Sequence, residues 1–199
     1  MNKHLTLTAV SLLLIGLTMS GTAYSQVPVW EREALIALYD AAGGESWSLL
    51  TNEEHLPWLG EPGTECDWKG VYCSYSLVTM ISLGNSNLSG SIPPELGNLT
   101  ILATLDLHDN QLTGSIPAEL GNLTTLTGLD LSGNKLSGAI PSALGNLTSL
   151  ENLLLNNNQL TGSIPPELGS LINLQRLHIV SRQMIWDQCP LKLKETFAV

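Results

Sequence analysis

Residues 102–125 read LATLDLHDNQLTGSIPAELGNLTT, and residues 126–149 read LTGLDLSGNKLSGAIPSALGNLTS. Residues 150–173 (LENLLLNNNQLTGSIPPELGSLIN) and 78–101 (VTMISLGNSNLSGSIPPELGNLTI) follow the same pattern. These are four units of 24 residues, in phase and without insertion. A fifth begins at Leu174 and loses the pattern after Val180. Each position of the unit has a physical reading. Leu105 and Leu107 alternate with Thr104, Asp106 and His108, which is the period of a short half-buried strand. Asn110, with Asn134 and Asn158 at the equivalent place, suits an inward bend. There its amide can satisfy backbone groups of that bend and of the next coil that would otherwise be buried unpaired. The first unit carries Ser86 at this position. Gly114 suits a backbone conformation that a larger residue would strain. Ile116-Pro117 fixes an extended segment and stops a helix. Leu120 and Leu123 fill the convex side around the turn at Gly121.

One such coil cannot bury its own leucines. Stacked coils bury a continuous column, and their strands pair into a parallel sheet. Five rungs at about 4.8 Å each span only ~20 Å, so the stack is short. The composition agrees. Leucine supplies 40 of 199 residues, and charged residues only 13%. Every tryptophan, tyrosine and phenylalanine lies outside 77–185. A core of more than 100 residues is therefore built from leucine with some isoleucine, one packing solution used many times.

The N-terminus speaks to compartment. Lys3 precedes an apolar run from Leu5 to Met19, and Ala23-Tyr24-Ser25 places small residues around a cleavage point before Gln26. This reads as a secretory signal peptide, with an uncleaved anchor as the alternative. No second apolar stretch is long enough to span a bilayer. Net charge is −10, and no Lys/Arg cluster is present, which argues against nucleic acid as a partner. Export makes disulfides permissible. A bond between Cys66 and Cys73 would close a short loop and contribute roughly 2–3 kcal/mol. Cys189 is the odd one, a free thiol or a link to another chain, so the oligomeric state stays open.

The unit LxxLxLxxNxLxGxIPxxLGxLxx resembles the repeat of plant-type extracellular leucine-rich repeat proteins. The resemblance covers 78–180. Glu31-Arg32-Glu33-Ala34-Leu35-Ile36-Ala37-Leu38-Tyr39 looks like the helix of that family's N-terminal cap. Trp47, Trp58 and Cys66-Asp67-Trp68-Lys69-Gly70-Val71-Tyr72-Cys73 look like its cover over the first coil. In the family this cysteine motif forms a disulfide, which implies a Cys66–Cys73 bond. The expected fold is an α/β solenoid: a short right-handed coil with a parallel concave β-sheet and a disulfide-closed helical N-terminal cap. The expected organisation is a signal peptide (1–25), the cap (26–77), repeats over 78–180 (78–101, 102–125, 126–149, 150–173 and a partial 174–180), and an irregular tail (181–199). That tail, with Met184, Ile185 and Trp186, is either a makeshift cap or the scar of a truncated gene. With no kinase domain or membrane helix after the repeats, a complete receptor kinase is not expected.

Signatures of chemistry are scarce. There is no HExxH, phosphate-binding glycine loop, GxSxG elbow, EF-hand loop or paired CxxC. No enzyme activity, cofactor or metal site is expected. His108 and His178 fall on the concave face three rungs apart, about 14 Å, too far for one dyad. Asp106 and Asp130 occupy the same strand position on adjacent rungs, ~5 Å apart, a spacing that retaining glycosidases use. Aspartate is ordinary at that place in the family's LDL segment, so catalysis is disfavoured. The exposed concave strip carries no tryptophan or tyrosine of the kind favoured at protein hot spots. Its candidate binding residues are Asp106, His108, Asp130, Asn156 and His178. Four sequons, at Asn87, Asn98, Asn122 and Asn146, are possible glycosylation sites in a eukaryotic secretory route. The expectation is a non-enzymatic binding scaffold, secreted or extracytoplasmic at a cell surface, wall or periplasm. Its concave face would take a protein or peptide ligand. The alternatives are a structural protein that binds surface or matrix polysaccharide, or an inhibitor of polysaccharide hydrolases.

Overall fold

Seven apolar positions per coil have to leave water together. In the second coil these are Leu102, Leu105, Leu107, Leu112, Ile116, Leu120 and Leu123, and all are buried. Their equivalents 24 residues on, from Leu126 to Leu147, are buried as well. The computed structural model describes residues 27–48 and 58–179, with the backbone of Met184 and Ile185. The expected signal peptide and Cys189 lie outside the described residues.

The helix α1 (Val29–Ala41) opens the chain. Then follow β1 (Val71–Ser74), β2 (Leu77–Ser82), β3 (Ser89–Ser91), β4 (Thr104–Asp106) and β5 (Gln111–Thr113). The repeats continue with β6 (Gly128–Asp130), β7 (Ser137–Gly138), β8 (Asn152–Leu154), β9 (Gln159–Leu160), β10 (Gly162–Ser163) and β11 (Arg176–His178), and β12 (Met184–Ile185) comes last. The concave sheet runs β1-β2-β4-β6-β8-β11. All its pairs are parallel except β1 with β2. Short 3-10 turns such as Ala118–Asn122 line the opposite side. They stack so closely that a Cβ on Gly121 would overlap the carbonyl of Ala143 in the next coil. The fold is the expected α/β solenoid.

Two features exceed the sequence reading. A second, broken parallel ladder runs beside the first, pairing β3 with β5, β7 with β9 and β10 with β12. Gly114 leads out of β5 at φ 79°, where a side chain would be strained. The β10–β12 pair also carries the coiling past Val180, where the sequence pattern ends: Gly162 pairs with Met184 and Ser163 with Ile185.

The asparagine ladder is directed backward along the stack rather than toward the next coil. Asn110 Oδ1 accepts from Ser86 N (2.9 Å) and Leu88 N (3.0 Å) of the preceding coil. Its Nδ2 donates to Leu83 O (2.8 Å) and to Leu107 O (3.0 Å). Asn134 Nδ2 reaches Leu107 O at 2.9 Å, and Asn158 Nδ2 reaches Leu131 O at 2.9 Å. The direction follows from the helical rise. The bend of one coil overhangs the strand end of the coil before it, and that is where the unpaired carbonyls lie.

The cap closes the open end of the leucine column with large rings. Trp47, Trp58 and Trp68 are buried, with centroids 4.8 and 5.2 Å apart in sequence order. Each indole N–H is satisfied, by Ala42 O, Lys69 O and Thr64 Oγ1 respectively. Cys66 and Cys73 are disulfide-bonded, with Cα atoms 5.5 Å apart. Glu31 of α1 accepts from Val78 N at 2.8 Å, which ties the helix to the first repeat strand.

Candidate functional site

Strand alternation sends every second side chain of the concave sheet outward. The parallel register then sets outward residues in columns across the rungs. One column runs Ser82, Asp106, Asp130, Leu154, His178. Its neighbour runs Met80, Thr104, Gly128, Asn152, Arg176.

Three of the five candidate binding residues converge. Asp106 and His108 lie two apart on one rung, and Asp130 faces Asp106 from the next. One donor atom from each lies within 4.8 Å of the other two. His108 Nδ1 is 2.5 Å from Asp106 Oδ1. That same oxygen accepts from His108 N at 3.2 Å. Asp130 Oδ1 accepts from Ser132 N (3.0 Å) and Ser132 Oγ (2.6 Å). The other two candidates stand apart. His178 lies two rungs from Asp130, with Leu154 between them, and is exposed. Asn156 lies two coils beyond His108 in the repeat.

The imidazole is held from below. A Cβ on Gly84, the equivalent residue of the first coil, would overlap the His108 ring. Glycine at position 84 thus leaves room for the ring in this position. Asn85 Nδ2 lies 3.2 Å from His108 Nε2. With Nδ1 protonated toward Asp106, Nε2 is free to accept from that amide. The hydrogen bond to Asp106 raises the His108 pKa above its ordinary value. Partial burial opposes this, and the negative charges of Asp106, Asp130 and Asp109 add to the rise. The His108 and Asp106 side chains are 34% and 26% exposed, so the group is anchored yet open to solvent. It can accept hydrogen bonds, hold a cation and exchange a proton.

The aromatic poverty expected of this face needs correcting. The antiparallel strand β1 adds the cap to the edge of the sheet and pairs Tyr72 with Met80. Val71 and Ile81 point into the core, and Tyr72 (54% exposed) and Met80 point out onto the concave face. Tyr75, at 97% exposure, tops the hairpin. The connection Tyr75-Ser76 has φ of 50° and 61°, the two positive values of a two-residue hairpin turn. The signal was legible as Val-Tyr-Cys-Ser and Leu-Val-Thr-Met around a two-residue link. It was obscured because neither residue of the link is glycine or asparagine.

The sequons divide. Asn98, Asn122 and Asn146 are exposed at the ends of the 3-10 turns. Asn87 is committed to structure: its Nδ2 donates to Ser46 O (3.0 Å) and its Oδ1 accepts from Gln111 Nε2 (2.8 Å).

A family model described as a leucine-rich repeat region matches residues 74–197. The chain belongs to the leucine-rich repeat family. This leucine-rich repeat chain is 36% identical over 97 residues to a probable inactive receptor kinase of Arabidopsis thaliana. That match covers 48% of the chain and only 13% of the much longer relative. Among solved structures, the repeat chain is similar to the BIR3–SERK2 complex of Arabidopsis thaliana, at 33% identity and a TM-score of 0.61. The alignment covers 72% of this chain and 77% of that one. It is also similar to the ectodomain of the receptor kinase GASSHO1/SCHENGEN3 of the same plant, in complex with CASPARIAN STRIP INTEGRITY FACTOR 2. There the identity is 34% and the TM-score 0.65, over 78% of this chain and 18% of that one. The repeats are thus of the plant-type extracellular kind. Among the described residues, no helix is long and apolar enough to cross a membrane.

Proposed function

We propose that this leucine-rich repeat protein is a secreted, non-enzymatic recognition scaffold that takes a protein or peptide on its concave face. One observation carries the reading. The leucines are committed to the column, while the concave strip from Tyr72 and Met80 through Asp106, His108 and Asp130 serves no packing need. The exposed Tyr72 and Met80 at the edge of this strip are of the residue types enriched at protein interfaces. The similar plant structures are a BIR3–SERK2 complex and an ectodomain in complex with CASPARIAN STRIP INTEGRITY FACTOR 2, which supports a binding use here. Glycans added at Asn98, Asn122 and Asn146 would sit away from the concave sheet and leave it open.

The test is capture from extracellular fluid on the immobilised protein, with binders identified and titrated. Tyr72→Ala and Asp130→Asn should each weaken a genuine partner about tenfold or more. Gln111→Ala, on the lateral ladder, should not. Binding that survives both concave variants would sink this reading. Retention on a glycan array with no protein partner would favour the polysaccharide-binding alternative.

A further inference from the structure

The Asp106–His108–Asp130 group has an arrangement that partner recognition does not require. Two carboxylates and one imidazole from adjacent rungs bring donor atoms within 4.8 Å of one another. Ligands of a single zinc ion, at about 2.0–2.2 Å from the metal, lie roughly 3.3–3.5 Å apart in tetrahedral geometry. Side-chain rotations of the size available to half-exposed residues cover that difference. We propose that Asp106, His108 and Asp130 form a zinc site on the concave face, with its fourth position open to water or to a group from a bound partner.

Three observations separate this group from an ordinary acidic patch. The first is the donor set. One imidazole with two carboxylates suits zinc, whereas calcium asks for six to eight oxygens. The second is seating. Gly84 leaves room for the His108 ring in this position, and the neighbouring coils carry no second histidine there. The third is the outer layer. Ser132 holds the Asp130 carboxylate through both its N–H and its hydroxyl. Metal ligands need such partners to fix carboxylate orientation. The group also occurs at one place only in the stack. The equivalent column positions on the other rungs are Ser82, Leu154 and His178, and no other coil carries a histidine at the place of His108.

The experiment is calorimetric titration of the chelator-treated, secreted-form protein with zinc chloride, run beside calcium chloride. One zinc equivalent should bind in the micromolar range and raise the unfolding temperature. His108→Ala and Asp130→Asn should each weaken it at least about tenfold while keeping the circular dichroism spectrum of the parent. Gln111→Ala, on the lateral ladder, should bind as the parent does. Zinc should also shift the His108 ring resonances in an NMR spectrum, which a misfolded variant cannot mimic. The proposal is overturned if no zinc heat appears, if the heat persists unchanged in both variants, or if calcium binds as tightly as zinc. The titration uses no protein partner, so its outcome is independent of the recognition reading.

Discussion

At the scale of single residues, one amide per coil does the work of several backbone bonds. Asn134 Oδ1 accepts from Leu112 N at 3.0 Å. Its Nδ2 donates to Leu107 O, Leu131 O and Ser132 O. All but Ser132 O belong to a buried bend. Removing the amide takes the acceptor from Leu112 N and one of two donors from each of the three carbonyls, and an orphaned buried polar group costs about 1–3 kcal/mol. Asn134→Ala should therefore lose about 3 kcal/mol of stability in urea unfolding, whereas Asn146→Ala, on the surface, should lose under about 0.5 kcal/mol. Equal losses would show that the ladder is not structural. The periodicity of these asparagines marked them in the sequence as inward bend residues, while the direction of their bonds, back to the preceding coil, was not legible there. Nor was the seating of His108. It depends on Gly84 lying beneath it, 24 positions earlier, and nothing about a lone histidine announces that.

At the scale of elements, the cap obeys different rules from the repeat. Two of its carboxylates, Glu31 and Glu65, are buried, and Glu65 pairs with Arg32. Arg32 bonds Glu65, donates to Gly60 O at 2.6 Å, and stacks 5.3 Å from the Trp68 ring. Glu65 is fully buried. Arg32→Met would strand that carboxylate and should cost about 3–5 kcal/mol in urea unfolding. Arg32→Lys should recover only part of this, because an ammonium lacks the planar fork that serves several acceptors at once. A loss under about 1 kcal/mol in the Met variant would refute the pinning role.

Glu31, only 2% exposed, makes a second cap prediction. Burial raises its pKa above the ordinary 4.5, and the Val78 N–H partly offsets the rise. A carboxyl whose folded pKa is raised favours folding in its protonated form. That contribution is present below the unfolded value and is lost as pH climbs through the folded one. From about pH 4 to pH 7 the parent should thus lose stability relative to Glu31→Gln. Urea midpoints measured across that range will show it, and parallel curves would contradict the assignment. The cap's helix and its disulfide were both foreseeable, the latter through family resemblance. The hairpin that swings Tyr72 onto the sheet was not, since its turn lacks the usual glycine.

At the scale of the whole molecule, contacts run almost wholly between neighbouring coils, so the stack behaves as a one-dimensional array. Deleting 126–149 in full should leave a shorter protein that still unfolds cooperatively, because Leu150 inherits the place of Leu126 and every column closes again. Its urea m-value should fall with the surface lost, and so should its stability. A deletion that fails to fold would show coupling beyond nearest neighbours. The same deletion sets Leu154 beside Asp106 in place of Asp130, so the cluster is dismantled while the fold survives.

That contrast marks where information resides. The spacing of leucine, asparagine and glycine within 24 residues determined the coil, the sheet and the column by itself, because each of those requirements is met within one unit and its copy. The seating of His108 against the foreseen Asp106/Asp130 pair, the aromatic edge and the second ladder were decided only by tertiary structure. Each depends on which residues the stack brings side by side from different coils, or from cap and repeat. A repeating sequence makes all coils look alike, and the differences that matter emerge when adjacent rungs are set in register.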